Sequence, residues 1–160
     1  MTTAYDVAAS VTDPEMPMLT IADLGVLRSV EEGPDGAVVV TLTPTYSGCP
    51  ALGVMRDDVV RRLAEEGHPD VRVRVALDPP WSSDLITERG RAALAEHGVS
   101  APGAAPAGPV ALTLGPSRRA VRCPRCGAGA ELTSEFGPTS CTALYRCPAC
   151  REPFQHVKEI

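Results

Sequence analysis

Leu42-Thr43-Pro44-Thr45-Tyr46-Ser47-Gly48-Cys49-Pro50 joins a strand-like run to a helix-like run. Upstream, Val26 to Glu32 and Ala37 to Leu42 read as two strands separated by the turn Gly33-Pro34-Asp35-Gly36, which makes an antiparallel hairpin. Downstream the period changes. Leu52, Met55, Val59 and Leu63 share one helical face, with Arg56, Asp57, Arg61 and Glu65 largely on the other. Pro50 suits the first helical turn, where its missing N–H is no loss, and Gly67-His68-Pro69 ends the helix. Cys49 stands at this strand-to-helix turn and is the only cysteine outside the last forty residues.

Working outward, residues 3–11 have a helical composition, and Asp13-Pro14 stops them, because a residue before proline is pushed out of the helical region. Asp13 to Pro17 is an irregular acidic segment, and Thr20 to Gly25 reads as one tight helical turn. Val71-Arg72-Val73-Arg74-Val75 alternates strictly and predicts a half-buried strand with valines inward and arginines outward. Asp78-Pro79-Pro80-Trp81 breaks it, Ser82 or Ser83 caps the next element, and residues 84–97 read as a helix with Gly98 as its stop. The order helix, hairpin, helix, strand, helix predicts an α+β domain over residues 1–99 with a sheet of three or more strands. Residues 100–119, with Pro102, Pro106, Pro109 and Pro116 among Ala and Gly, read as a linker. Val110 to Leu114 is a candidate short strand within it.

Composition narrows the function classes. Only six residues are aromatic, so the core is expected to be aliphatic. Residues 1–99 carry 16 acids and 8 Arg or Lys, whereas residues 100–160 carry 4 acids and 7 bases. Neither half is basic enough for a nucleic-acid partner. No apolar run reaches the length of a membrane span and the first residues do not resemble a secretion signal, so a cytoplasmic location without a membrane partner is expected. In that compartment six cysteines point to metal or reactivity before disulfides.

Cys123-Pro124-Arg125-Cys126 and Cys147-Pro148-Ala149-Cys150 are two CxxC knuckles separated by twenty residues. Each knuckle turns two sulfurs toward one ion, and the pair completes a tetrahedral thiolate shell. A forty-residue module has too little core to fold without such a staple. These features predict a zinc ribbon over residues 120–160, with Phe136, Tyr145 and Phe154 as a mini-core beside the metal. The same sulfurs could instead hold a rubredoxin-like iron or an iron–sulfur cluster. Cys141 is a fifth thiol, either a small buried residue or an additional ligand.

Cys49 sits at a helix start, where unpaired N–H groups and the helix dipole favour the thiolate. Gly48 leaves room for close approach of backbone or ligand. Two readings stay open here, a reactive or metal-binding thiol and a quiet buried one. No histidine is placed as its base: His68 lies in a turn, His97 in a last helical turn and His156 near the chain end. Asp13, Glu15, Asp23, Asp78 and Asp84 are acids in loops or caps, which turn chemistry alone explains for most.

Five motifs carry a family resemblance. Asp13-Pro14-Glu15-x-Pro17, Ile21-x-Asp23-Leu24-Gly25-Val26 and Thr43-Pro44-Thr45-x-x-Gly48-Cys49-Pro50 resemble the small domain of SufT-like iron–sulfur assembly factors. Pro79-Pro80-Trp81-Ser82-Ser83-Asp84-x-Ile86-Thr87, and Phe136-Gly137-x-Thr139-x-Cys141, are similar to the PaaD family of aerobic phenylacetate catabolism, encoded with the multicomponent phenylacetyl-CoA epoxidase. The resemblance implies an accessory maturation factor, not an enzyme. It would assemble or insert an iron–sulfur cluster, with the epoxidase reductase as client and iron–sulfur scaffold proteins as further partners. It implies a transient iron or cluster at Cys49 and structural zinc at Cys123, Cys126, Cys147 and Cys150. Asp13, Glu15, Asp23, Thr43, Gly48, Trp81 and Asp84 match motif positions and become pocket candidates. One thiol cannot fill a cluster's coordination, so a homodimer or a heterocomplex is expected. The competing expectations are a structural subunit of the epoxidase complex and, third, a thiol-dependent enzyme.

Overall fold

The computed structural model describes residues 3–106, 108 and 120–160. The candidate strand Val110 to Leu114 lies outside the described residues. The chain is α+β, as expected, and divides into two compact units, Met1–Gly90 and Arg91–Ile160.

The first unit begins with α1 (Ala4–Ala9), started by a capping box. The Thr3 hydroxyl accepts from the Asp6 N–H, and the Asp6 carboxylate accepts from the Thr3 N–H. β1 (Leu27–Glu32) and β2 (Val38–Leu42) form the expected antiparallel hairpin. α2 (Ala51–Glu65) then crosses over, so that β3 (Val71–Val75) joins β2 in parallel, giving the order β1-β2-β3. Val38, Val40 and Leu42 alternate onto one buried face of the central strand. Met55, Val59 and Leu63 of α2 are buried with them, as are Val11, Leu19, Ile21 and Leu24. Each such side chain contributes about 1.5–3 kcal/mol by leaving water.

The half-buried strand expected at residues 71–75 is found, and one expectation for this region is corrected. β3 is an edge strand, and its inward row is only partly covered: Val71 and Val73 are half-buried while Val75 is 48% exposed. The helix expected over 84–97 is two pieces. Ser82 caps a short 3-10 turn (Ser83–Leu85), Ile86 returns to extended backbone, and α3 starts only at Glu88 and runs to Glu96. The break is made by Thr87, whose N–H donates to the Asp23 carbonyl (2.9 Å) and whose hydroxyl caps Gly90 N–H (3.0 Å). Gly98, at φ 74°, ends α3 as predicted.

In the second unit β4 (Glu131–Ser134), β5 (Thr142–Arg146) and β6 (Pro153–Val157) form an antiparallel sheet in sequence order. Val121, Cys123, Ala143, Tyr145, Cys147 and Phe154 make its small core, in which the Tyr145 and Phe154 rings stack at 6.1 Å. Phe136 is not part of that core; it is 77% exposed, because it sits in the β4–β5 loop beyond the sheet. The start of the Pro/Ala/Gly stretch is strand-like chain bonded to β6. Ser100 N–H donates to Gln155 O (2.8 Å), Val157 N–H to Ser100 O (3.0 Å), and Gly103 N–H to Glu159 Oε1 (2.9 Å). Buried His156 bridges the Ser100 hydroxyl (3.0 Å) and Glu159 (3.3 Å), which fastens this segment in place. Among the described residues no helix is long and apolar enough to cross a membrane.

Candidate functional site

The cysteines fall into two sites of different construction. In the second unit the sulfurs of Cys123, Cys126, Cys147 and Cys150 all lie within 4.8 Å of one another, with Cys123–Cys150 at 3.6 Å and Cys126–Cys147 at 3.5 Å. Both knuckles close in the same way. Cys123 N–H donates to Ala128 O (2.8 Å) and Gly127 N–H to Cys123 O (2.9 Å), while Cys147 N–H donates to Glu152 O (2.9 Å). The residue after each second cysteine is left-handed: Gly127 at φ 73° and Arg151 at φ 64°. Gly127 takes that conformation without strain, and Arg151 is a non-glycine held there by the knuckle.

Four thiols so close compete for ionisation. The Cys150 and Ala149 N–H groups hold the Cys147 thiol down at about 7. The Glu152 N–H pulls Cys150 down too, yet desolvation and the neighbouring sulfurs prevail and push it up to about 12. Cys126 is also raised: the Ala128 N–H is outweighed by the Cys147 sulfur and desolvation. A divalent cation at the centre would remove this conflict by binding all four sulfurs as thiolates and offsetting part of their charge. The spacing fits one ion, since a tetrahedron of ~2.3 Å metal–sulfur bonds has edges of ~3.8 Å. A cluster of several metal ions would hold its sulfurs farther apart. Cys141 is buried outside this group, with its sulfur 3.1 Å from Thr139 Oγ1.

In the first unit Cys49 lies half-buried just before α2. The sequence predicts a thiol favoured as thiolate by the helix start, and the structure reverses that. Desolvation pushes the Cys49 thiol up, the N–H groups of Ala51 and Leu52 pull against it, and the charges of Glu15 and Asp13 add to the rise. The helix start is present but is overruled by burial and two carboxylates. Asp13 is buried, its carboxylate accepting from Glu15 N–H (2.6 Å) and Met16 N–H (3.1 Å) in an Asx turn. Glu15 is exposed, its carboxyl raised by desolvation and then by Asp13. Gly48 has no positive φ, and a Cβ there would meet only the Tyr46 ring at 3.7 Å, so the fold itself does not require glycine.

Thr43 and Trp81 are gathered by a residue that the sequence did not single out. Arg28 donates from Nε to Thr43 Oγ1 (3.1 Å) and from Nη2 to the Pro79 and Pro80 carbonyls (3.1 and 3.3 Å). It clamps the start of the Cys49 loop to the proline segment, and Trp81 Nε1 completes the attachment by donating to Leu24 O (2.9 Å). An arginine in a strand of mixed pattern gave no signal of this, because its partners are 15 to 52 residues away.

Asp23 belongs to a separate knot. Its carboxylate accepts from Thr20 Oγ1 (2.9 Å), Thr87 Oγ1 (2.9 Å) and Arg89 Nε (2.8 Å). Burial alone would raise this carboxyl, but these donors hold it below the usual carboxylate range. The adjacent Gly25 is required twice over, by φ 72° and by Leu85, whose Cβ lies 2.5 Å from where a Cβ would stand. Asp84 is exposed in the 3-10 turn, its N–H capped by Ser82 Oγ (3.3 Å).

Comparison with known proteins matches both halves. The family described as "Iron-sulfur cluster assembly protein" matches residues 5–75, and the family described as "PaaD zinc beta ribbon domain" matches residues 107–158. The chain is 43% identical over 153 residues to an Escherichia coli protein provisionally named as a subunit of 1,2-phenylacetyl-CoA epoxidase, covering 95% of this chain and 88% of that protein. It is 35% identical over 80 residues to an Fe-S protein maturation auxiliary factor of Porphyromonas gingivalis, covering 49% of this chain and 75% of that one. A crystal structure of a domain of unknown function, DUF59, from Bacillus anthracis overlays at a TM-score of 0.53 and 30% identity, covering 57% of this chain and 87% of that one. The chain belongs to the PaaD family, with a SufT-like iron–sulfur assembly domain followed by a zinc beta ribbon.

Proposed function

We propose that this chain is a cytoplasmic accessory factor that helps load an iron–sulfur cluster into the phenylacetyl-CoA epoxidase system, with the reductase subunit as its client. The observation that carries this reading is the joint match. One relative is named for the epoxidase and aligns along nearly the whole chain, and another is named for Fe-S protein maturation and aligns with the first domain. The functional division proposed is residues 1–99 as assembly domain, 100–119 as linker and 120–160 as ribbon.

In this reading the ribbon holds zinc as a closed structural site, for which four thiolates at single-ion spacing are suited. Cargo iron or cluster is met at Cys49. A neutral thiol beside two carboxylates is a weak resting site. An arriving ferrous ion would displace the thiol proton to solvent, and the single Cys49 sulfur offers an incomplete donor set. Incomplete coordination favours release to a client that supplies the remaining ligands. Thr43, Gly48 and Trp81 shape the loop, Asp23 and Asp84 support the segment behind it, and Cys141 is assigned to packing. A raised thiol gives no support to a thiol-dependent enzyme.

In cells making C49A, the chain is expected to accumulate with its ribbon metal while the reductase is isolated short of cluster. A fully loaded reductase in that strain ends the proposal. The relative's name as an epoxidase subunit favours a second reading, a permanent structural subunit. Co-purification with the oxygenase subunits at fixed stoichiometry would mark that reading instead.

A further inference from the structure

The β4–β5 loop of the ribbon is built to hold an aromatic ring in solvent. Phe136 is the most exposed large apolar side chain among the described residues. The loop that carries it is braced at every step. Ser134 Oγ donates to Phe136 O (2.9 Å) and accepts from Phe136 N–H (3.1 Å). Gly137 N–H donates to Thr142 O (2.9 Å), Thr142 N–H to Thr139 O (3.2 Å), and the Thr139 and Thr142 hydroxyls meet at 3.1 Å. Gly137 is packed against Thr142 so closely that a Cβ would collide with the Thr142 hydroxyl and backbone. From the other side, Lys158 N–H donates to Cys141 O (2.9 Å) and Lys158 Nζ to Ser140 O (3.0 Å). The Lys158 ammonium then lies 5.2 Å from the Phe136 ring centroid, and no carboxylate pairs with it among the described residues.

Ordering a loop costs entropy, and leaving an aromatic ring in water gains nothing for the fold. A rigid, pre-ordered aromatic side chain is instead the kind of anchor that protein interfaces use, with the ordering cost met before binding. We infer that Phe136 and Lys158 form a docking knob for a partner protein that offers an apolar pocket rimmed by a carboxylate. Phe136 fills the pocket, and Lys158 moves from the ring face onto the acidic rim. The inference rests on the maturation reading for the partner's identity, which makes that partner an epoxidase subunit with the reductase first.

The test measures binding of the full chain to each purified epoxidase subunit, beginning with the cluster-free reductase, for wild type, F136A and K158E. Metal content and circular dichroism check that each ribbon is folded, and sedimentation of each chain alone reports self-association. Expected are a loss of about tenfold or more for F136A and a similar or smaller loss for K158E that shrinks in high salt. Wild-type affinity in F136A with the ribbon intact overturns the docking inference and leaves the maturation reading standing. A wild-type chain that binds none of the subunits overturns the maturation reading and removes the partner. A wild-type dimer that F136A dissociates shows the occupant to be a second copy, which also overturns the inference.

Discussion

The two sulfur sites differ in how much of their chemistry is finished within the chain. At the ribbon, four sulfurs converge within 4.8 Å, backbone N–H groups point at them, and together they offer a single cation a closed tetrahedral shell. At the Cys49 loop one thiol is kept neutral by burial and by Asp13 and Glu15, with Arg28 and Trp81 fixing the surrounding backbone. A closed shell suits a resident ion, and an open one suits an ion or cluster in passage. In the proposed reading, completeness of the donor set and not the number of cysteines separates the resident site from the site of passage.

The largest effect is expected at the ribbon. Stripping the metal with a chelator is expected to remove on the order of 10 kcal/mol from that module. Residues 120–158 should then lose amide protection while the β1-β2-β3 sheet keeps its own. A ribbon that stays protected without metal would contradict the assignment.

Next in size is Gly25→Ala. It combines a left-handed backbone with a Cβ placed 2.5 Å from Leu85 Cβ, so a loss of about 3 kcal/mol is expected in urea unfolding of the first unit. An unchanged midpoint would mean that the segment behind the Cys49 loop is not packed as described.

Asp23→Asn comes third, at about 2 kcal/mol, through the donors left without a charged acceptor. The sign of its pH dependence is fixed. The folded carboxyl is depressed, so its contribution is complete above the unfolded carboxylate range and fades as pH falls through the folded value. The variant should therefore lose the most stability relative to wild type at neutral pH and converge with it in acid.

The smallest effect expected is at Glu15. Glu15→Gln removes a charge that raises Cys49, so alkylation of Cys49 at neutral pH should quicken by about twofold, as a weakly screened like charge would give. Equal rates would separate Glu15 from the thiol.

Much of this was legible in the sequence, and for local reasons. The two CxxC knuckles encode their own geometry within a few residues each, and the hairpin and the α2 face are periodic patterns of short range. The rest depended on contacts across the chain. Asp13 and Glu15 stand some thirty-five residues before Cys49, so the helix start was visible from the sequence and the opposing carboxylates were not. Arg28 reaches Pro80 across 52 residues, and nothing in its own strand marks it as a clamp. Thr87 looked like helix interior because its bond to the Asp23 carbonyl is tertiary. Residue type alone points Phe136 to the core, whereas the hydrogen bonds of its loop hold it outside.

In the proposed reading, resident metal sits at the ribbon and passing iron at Cys49. Anaerobic loading of the purified full chain with ferrous iron and sulfide, wild type against C49A, tests it most directly through metal analysis and visible absorption. The account predicts about one zinc per chain in both proteins, with iron and its absorbance gained by wild type and absent from C49A. Equal iron and absorbance in C49A, or iron gained at the expense of ribbon zinc, would contradict it.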